Sequence, residues 1–122
     1  MKKRIYYNKL IRDKMPEEIH KMGGNLQSRK LPEKEFEREL LKKVGEEASG
    51  LLKVKSKKSL VAELADIIDV IDEISKHKKI SKAELKNAQK HNRKQKGGFS
   101  KRIFLISTTD HGYRTNEKKY KS

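Results

Sequence analysis

The residues of this chain best equipped for chemistry are four acids at helical spacing. Glu46 and Glu47 are adjacent, and Glu63 and Asp66 follow three residues apart. An α-helix turns through about 100° per residue, which decides which acids share a face with apolar neighbours. With Phe36 set at zero, Leu40, Val44 and Leu51 fall at about 40°, 80° and 60°, and Glu47 falls at about 20°, inside that apolar stripe. Glu46 sits at the stripe margin. With Leu60 set at zero on a second helix, Ile67, Ile71 and Ile74 lie near about −20°, 20° and −40°, Val70 near about −80°, and Glu63 near about −60°. Asp66, at about −120°, lies just beyond the edge of this arc, and Asp69 points to the opposite side.

A carboxylate on a packing face is costly unless something compensates it. Two compensations suit this chain. One is an ion pair with a lysine, of which there are many. The other is a divalent metal: an oxygen-only ligand set fits Mg2+ or Mn2+. Carboxylates projecting inward from facing helices are a known way to build such a site. The ExxD spacing of Glu63 and Asp66 lets both reach one ion from successive turns. Facing alone leaves metal and ion pair open.

These acids need elements to position them. Tyr6 to Met22 reads as a short lead-in and a helix, capped by Asp13, with Pro16 in its first turn and Gly23-Gly24 ending it. A long helix is expected from about Pro32 to Val54, and Pro32 suits its first position. After the linker KVKSKKS, a second long helix is expected over about Leu60 to Lys76, with Leu60, Leu64, Ile67, Ile68, Ile71 and Ile74 on one face. The two helices are expected to run antiparallel. Ser81 and Glu84 form a capping-box pattern for a third helix that ends near Gly97-Gly98. KRIFLIS reads as a short extended strand. The expected fold is all-α, an antiparallel helical bundle in one domain over residues 1–106, with a basic, mobile tail over 107–122.

Composition narrows the classes. The chain has 122 residues, of which 33% are hydrophobic and 40% charged. A core this small favours association with a second copy. With no cysteine, disulfides, thiolate metal sites and a cysteine nucleophile are excluded. The basic start MKKRIYYNKL has no apolar run behind it, so it is not read as a signal peptide. No stretch approaches the ~18 apolar residues of a membrane span. A cytoplasmic protein is expected. The net charge of +15 points to an anionic partner. Its distribution is uneven: residues 33–75 hold eleven of the 17 acids and eight of the 32 basic residues. An acidic centre between basic flanks suits a site that binds a metal and a polyphosphate together.

Glu46-Glu47 followed by Glu63-Leu-Ala-Asp66 resembles the EExxE…ExxD signature of the MazG-like, all-α nucleoside triphosphate pyrophosphohydrolases. YNKLIRDKMPEEI (Tyr7 to Ile19) and KGGFSKRIFL (Lys96 to Leu105) resemble a phosphoribosyl-ATP pyrophosphohydrolase-like branch. The resemblance spans roughly Tyr7 to Ile106, in the right order. It implies a helical dimer or tetramer that cleaves a nucleoside triphosphate between the α and β phosphates, releasing a monophosphate and pyrophosphate. It implies Mg2+ (Mn2+ as a substitute) held by Glu47, Glu63 and Asp66. Glu46 and Glu47 are the candidate catalytic bases. The third glutamate of EExxE would fall at position 50, which is Gly50. This departure motivates an alternative: a catalytically weakened relative that binds nucleotide or a protein partner.

Hydrolysis at phosphorus needs cationic groups on the phosphate oxygens and a positioned water. Lys9, Arg12 and Lys14 come from NKLIRDK, and Lys96, Lys101 and Arg102 flank the GGF turn. Most lysines are expected to be solvated surface. Arg12 is the best candidate, because its fork suits a phosphate. Asp13 is expected to cap a helix or to pair with Arg12. His20, His77, His91 and His111 lack metal-ligand spacing and are read as surface residues. A third reading, a basic nucleic-acid binder, follows from the charge but has few aromatics for base stacking. It predicts salt-dependent binding to DNA or RNA that rivals nucleotide binding.

Overall fold

The structure, a computed structural model, describes residues 3–113. Among them are four α-helices and one 3-10 turn, and no strand, so the chain is all-α: α1 Met15–Lys21, α2 Glu33–Ala48, the turn Leu51–Lys53, α3 Lys57–His77 and α4 Lys82–Lys96. The chain divides into two compact units, Met1–Leu85 and Lys86–Ser122, with the boundary inside α4.

Local chemistry sets the helix ends. Pro16 lies in the first turn of α1, but the residue before the helix is Lys14, with no side-chain cap. Asp13 therefore does not cap it: the amide of Met15 closes a turn on the Arg12 carbonyl instead, at 2.9 Å. At the other end Gly23 takes φ +88°. The amides of Gly23 and Gly24 reach back to the carbonyls of His20 and Ile19, the paired bonds of a Schellman ending. Pro32 stands one residue outside α2 with extended backbone. The Ser56 hydroxyl accepts from the amide of Ser59 and starts α3 three residues before Leu60. Ser81 and Glu84 exchange side-chain and backbone bonds at 3.1 Å each, a complete capping box for α4. That helix ends at Gly97, at φ +78°.

Element bounds are corrected as well. The helix from Pro32 stops at Ala48, short of Val54, because Gly50 and Lys53 bond three residues back rather than four and tighten the chain into a 3-10 turn. KRIFLIS joins no strand among the described residues: residues 102–110 carry no regular structure, and Ile103, Phe104 and Ile106 are exposed. Without a partner strand its backbone has no ladder to join. The expected tail over 107–122 lies outside the described residues from 114 onward.

Helices α2 and α3 form the main packing pair of the first unit, and they run antiparallel. Glu37, early in α2, meets His77 and Lys78 at the far end of α3, while Glu47, late in α2, stands beside Glu63 near the start of α3. Among the described residues Leu40 is the one buried apolar residue, 6% exposed. Phe36 sets its ring edge-on against His77, with centroids 5.6 Å apart. His77 is thus part of this interface and not a surface residue. The apolar face of α3 is wider than α2 covers. Ile67, Val70 and Ile74 are half-buried, whereas Leu60, Leu64, Ile68 and Ile71 remain exposed.

Leu40→Ala is expected to cost about 2–4 kcal/mol, because it empties the centre of a core with little else in it; urea unfolding measures it. The hydrogen bond from Lys78 holds the Glu37 carboxyl below its ordinary range. A depressed carboxyl stabilises the fold above its unfolded value, about 4.3, and that contribution is lost as pH falls through the lower folded value. Glu37→Gln is expected to lower the melting temperature at neutral pH and to flatten its decline between about pH 5 and pH 2. A decline as steep as wild type would assign acid unfolding to other groups.

Candidate metal centre

The α2–α3 interface gathers three carboxylates at one end. Glu47, Glu63 and Asp66 each offer an oxygen, and these oxygens lie within 4.8 Å of one another. All three residues are half-buried. Glu47 comes from the last turn of α2, and Glu63 and Asp66 come from successive turns of α3. The three residues selected by helical facing are therefore brought together. Glu46 is not: it is exposed, and its nearest cation is Lys43, at 3.6 Å.

Charge compensation is unequal. Lys43 Nζ lies 3.3 Å from Glu47 and donates to the Leu10 carbonyl at 2.9 Å. Its side chain is 15% exposed, so this ammonium stands largely inside the interface. Arg12 reaches in from the N-terminal segment: Nη2 donates to Asp66 Oδ1 at 2.8 Å, and Nη1 lies 2.8 Å from Asp69 Oδ2. These carboxylates raise the Arg12 pKa, the hydrogen bond to Asp69 most of all. Glu63 has no hydrogen bond or ion pair among the described residues. Ion pairing therefore accounts for Glu47 and Asp66 and leaves Glu63 uncompensated.

The donor set fits a hard divalent cation. Oxygens around Mg2+, at roughly 2.1 Å from the ion, lie at most about 4.2 Å apart. Closing the carboxylates from 4.8 Å needs less than an ångström of side-chain adjustment. Carboxylate oxygens without nitrogen or sulfur select Mg2+ or Mn2+ over softer metals.

Gly50 borders this centre directly. A Cβ built there would stand 3.2 Å from Glu63 Oε2 and 3.4 Å from Glu63 Cδ. Its φ of −77° is open to any residue. The position where the resemblance expects a third glutamate is thus aimed at the uncompensated carboxylate, and a side chain there would make Glu63 shift by a few tenths of an ångström.

The remaining candidates are spread more widely. Lys9 lies 5.8 Å from the centre of the Tyr7 ring, and Lys14 precedes α1; both are exposed. Lys96, Lys101 and Arg102 belong to the other unit. There Arg102 adopts φ +57° and its amide closes a turn on Phe99. Lys43 and Asp69 carry roles that the sequence reading missed. The same rotation arithmetic signals the first: Lys43 falls at about −20° from Phe36, within the apolar stripe. Asp69 gave no signal, because its partner is 57 residues away. No family model, characterised protein or solved structure matches the chain, so a functional reading rests on these residues.

Gly50→Glu is expected to raise Mn2+ affinity about tenfold, by adding a fourth oxygen ligand beside Glu63. Titration calorimetry reads it directly. Unchanged affinity would show that position 50 is not a ligand position.

Proposed function

We propose that the chain is a Mg2+-dependent nucleoside triphosphate pyrophosphohydrolase that cleaves between the α and β phosphates and releases a monophosphate and pyrophosphate. One observation supports this reading above the others: half-buried Glu47, Glu63 and Asp66, on facing helices, offer carboxylate oxygens within 4.8 Å of one another, and Glu63 has no ion-pair partner among the described residues. The order of the three matched segments supports it, from NKLIRDK through ExxD to KGGFSKRIFL.

The residues divide the work. Glu47, Glu63 and Asp66 would hold the divalent ion, which would neutralise phosphate charge and help to orient the nucleotide. Arg12, at the rim, offers a planar fork to phosphate oxygens. Lys9 and Lys14, in the same segment, add positive charge to steer the polyphosphate. A water oxygen bonds to phosphorus as the anhydride bond between the α and β phosphates breaks. The water's proton passes to a carboxylate, Glu47 or its neighbour Glu46.

The uncovered row Leu60, Leu64, Ile68 and Ile71 is assigned to a second copy of the chain, giving a homodimer or homotetramer. Among the described residues no helix is long and apolar enough to cross a membrane, and the proposed enzyme works on the cytoplasmic nucleotide pool. Gly50 favours a second reading, a weakened relative that binds nucleotide without turning it over, since the site has three carboxylates and not four.

Incubation with a panel of canonical and modified nucleoside triphosphates is expected to release pyrophosphate only with Mg2+ or Mn2+. Glu63→Gln is expected to lower the rate by at least about a hundredfold. Binding without turnover establishes the second reading. Neither binding nor turnover of any nucleotide, together with salt-sensitive binding to DNA or RNA, moves the chain to the nucleic-acid class.

A further inference from the structure

Arg12 divides its fork between two carboxylates of different standing. Asp66 belongs to the trio whose oxygens converge, and Asp69 does not. The two acids are one helical turn apart on α3, and each takes a separate nitrogen of the guanidinium at 2.8 Å. If Asp66 helped to hold a divalent ion, the added positive charge close to Nη2 would weaken that contact. The contact of Nη1 with Asp69 lies outside the trio and would be kept.

We propose that Asp69 is a positioning residue for the anionic substrate: it keeps Arg12 at the rim of the carboxylate trio when Asp66 turns to the ion, so that the guanidinium edge released by Asp66 donates to a phosphate oxygen. The inference rests on the metal-and-nucleotide reading above. It uses the rigidity of the guanidinium, whose donors are fixed in one plane: an edge anchored on one carboxylate sets the direction of the other. Lysine, a rotating point charge, has no such second edge.

Backbone placement of this segment does not depend on Asp69. Lys43 holds the Leu10 carbonyl at 2.9 Å, two residues before Arg12. What Asp69 controls is the orientation of an otherwise exposed side chain, 60% accessible even in this contact. Released from Asp69, Arg12 samples many rotamers, and the phosphate must order it on binding.

The test is a double-mutant cycle read by calorimetric titration of inorganic pyrophosphate into the Mn2+-loaded full chain. Asp69→Asn is expected to weaken pyrophosphate about tenfold when Arg12 is present and less than about twofold in the Arg12→Ala background. Arg12→Lys is expected to behave like Arg12→Ala. Equal losses in both backgrounds would show Asp69 acting without Arg12 and overturn the proposal, as would no loss in either. A wild-type chain that takes up no Mn2+ defeats the metal reading and this inference with it. A chain that binds Mn2+ and pyrophosphate yet ignores Asp69→Asn defeats this inference alone.

Discussion

Three carboxylates placed between two packed helices must be neutralised, and the rest of the first unit is arranged around that requirement. Helices α2 and α3 meet through a small apolar contact centred on Leu40, and the same interface carries Glu47, Glu63 and Asp66 at one end. An uncompensated anion in such a place works against the packing beside it. The chain answers with two cations. Lys43 comes from α2 itself and Arg12 from a segment 54 residues from Asp66 in sequence. Both also fix the N-terminal stretch, Lys43 through the Leu10 carbonyl and Arg12 through its own side chain. Neutralisation and the docking of residues before α1 are thus one structural event.

The compensation is incomplete in an informative way. Among the described residues Glu63 has no hydrogen-bond or ion-pair partner, and Gly50 stands beside it without a side chain. A glycine at a backbone conformation any residue could adopt is not required by the turn. Its absent side chain matters instead as space beside a carboxylate oxygen. A divalent ion at the trio would satisfy Glu63 and compete with both Lys43 and Arg12 for their acids. Under the proposed metal reading, occupancy by a cation would be linked to the position of a basic fork suited to phosphate. Such a link would suit polyphosphate better than nucleic acid, for which the acidic centre would be a repulsive defect.

Much of this was legible in the sequence, for reasons that differ by residue. Glu47 and Glu63 were found by rotation about a helix axis, which depends only on local geometry. The capping box at Ser81 and Glu84 was equally local. The break after Ala48 was less visible, because apolar periodicity continues through Leu51 while the backbone tightens around Gly50. KRIFLIS has strand-like composition, but a strand needs a partner, and composition carries no information about one. His77 and Lys43 are polar by type, and only their place on a helix face shows that they belong to the interface. The Arg12–Asp69 contact depends on how a non-helical segment returns to α3, which no periodicity encodes.

The proposed function requires one divalent ion at the end of the α2–α3 pair, bound through Glu47, Glu63 and Asp66. The decisive measurement is paramagnetic broadening of backbone amide resonances during a Mn2+ titration of the isotope-labelled chain. Saturable broadening at one equivalent per chain is expected, centred on the amides of Glu47, Gly50, Glu63 and Asp66 and extending to Arg12. Broadening that never saturates, or that centres on the exposed acids Asp72 and Glu73, would contradict it.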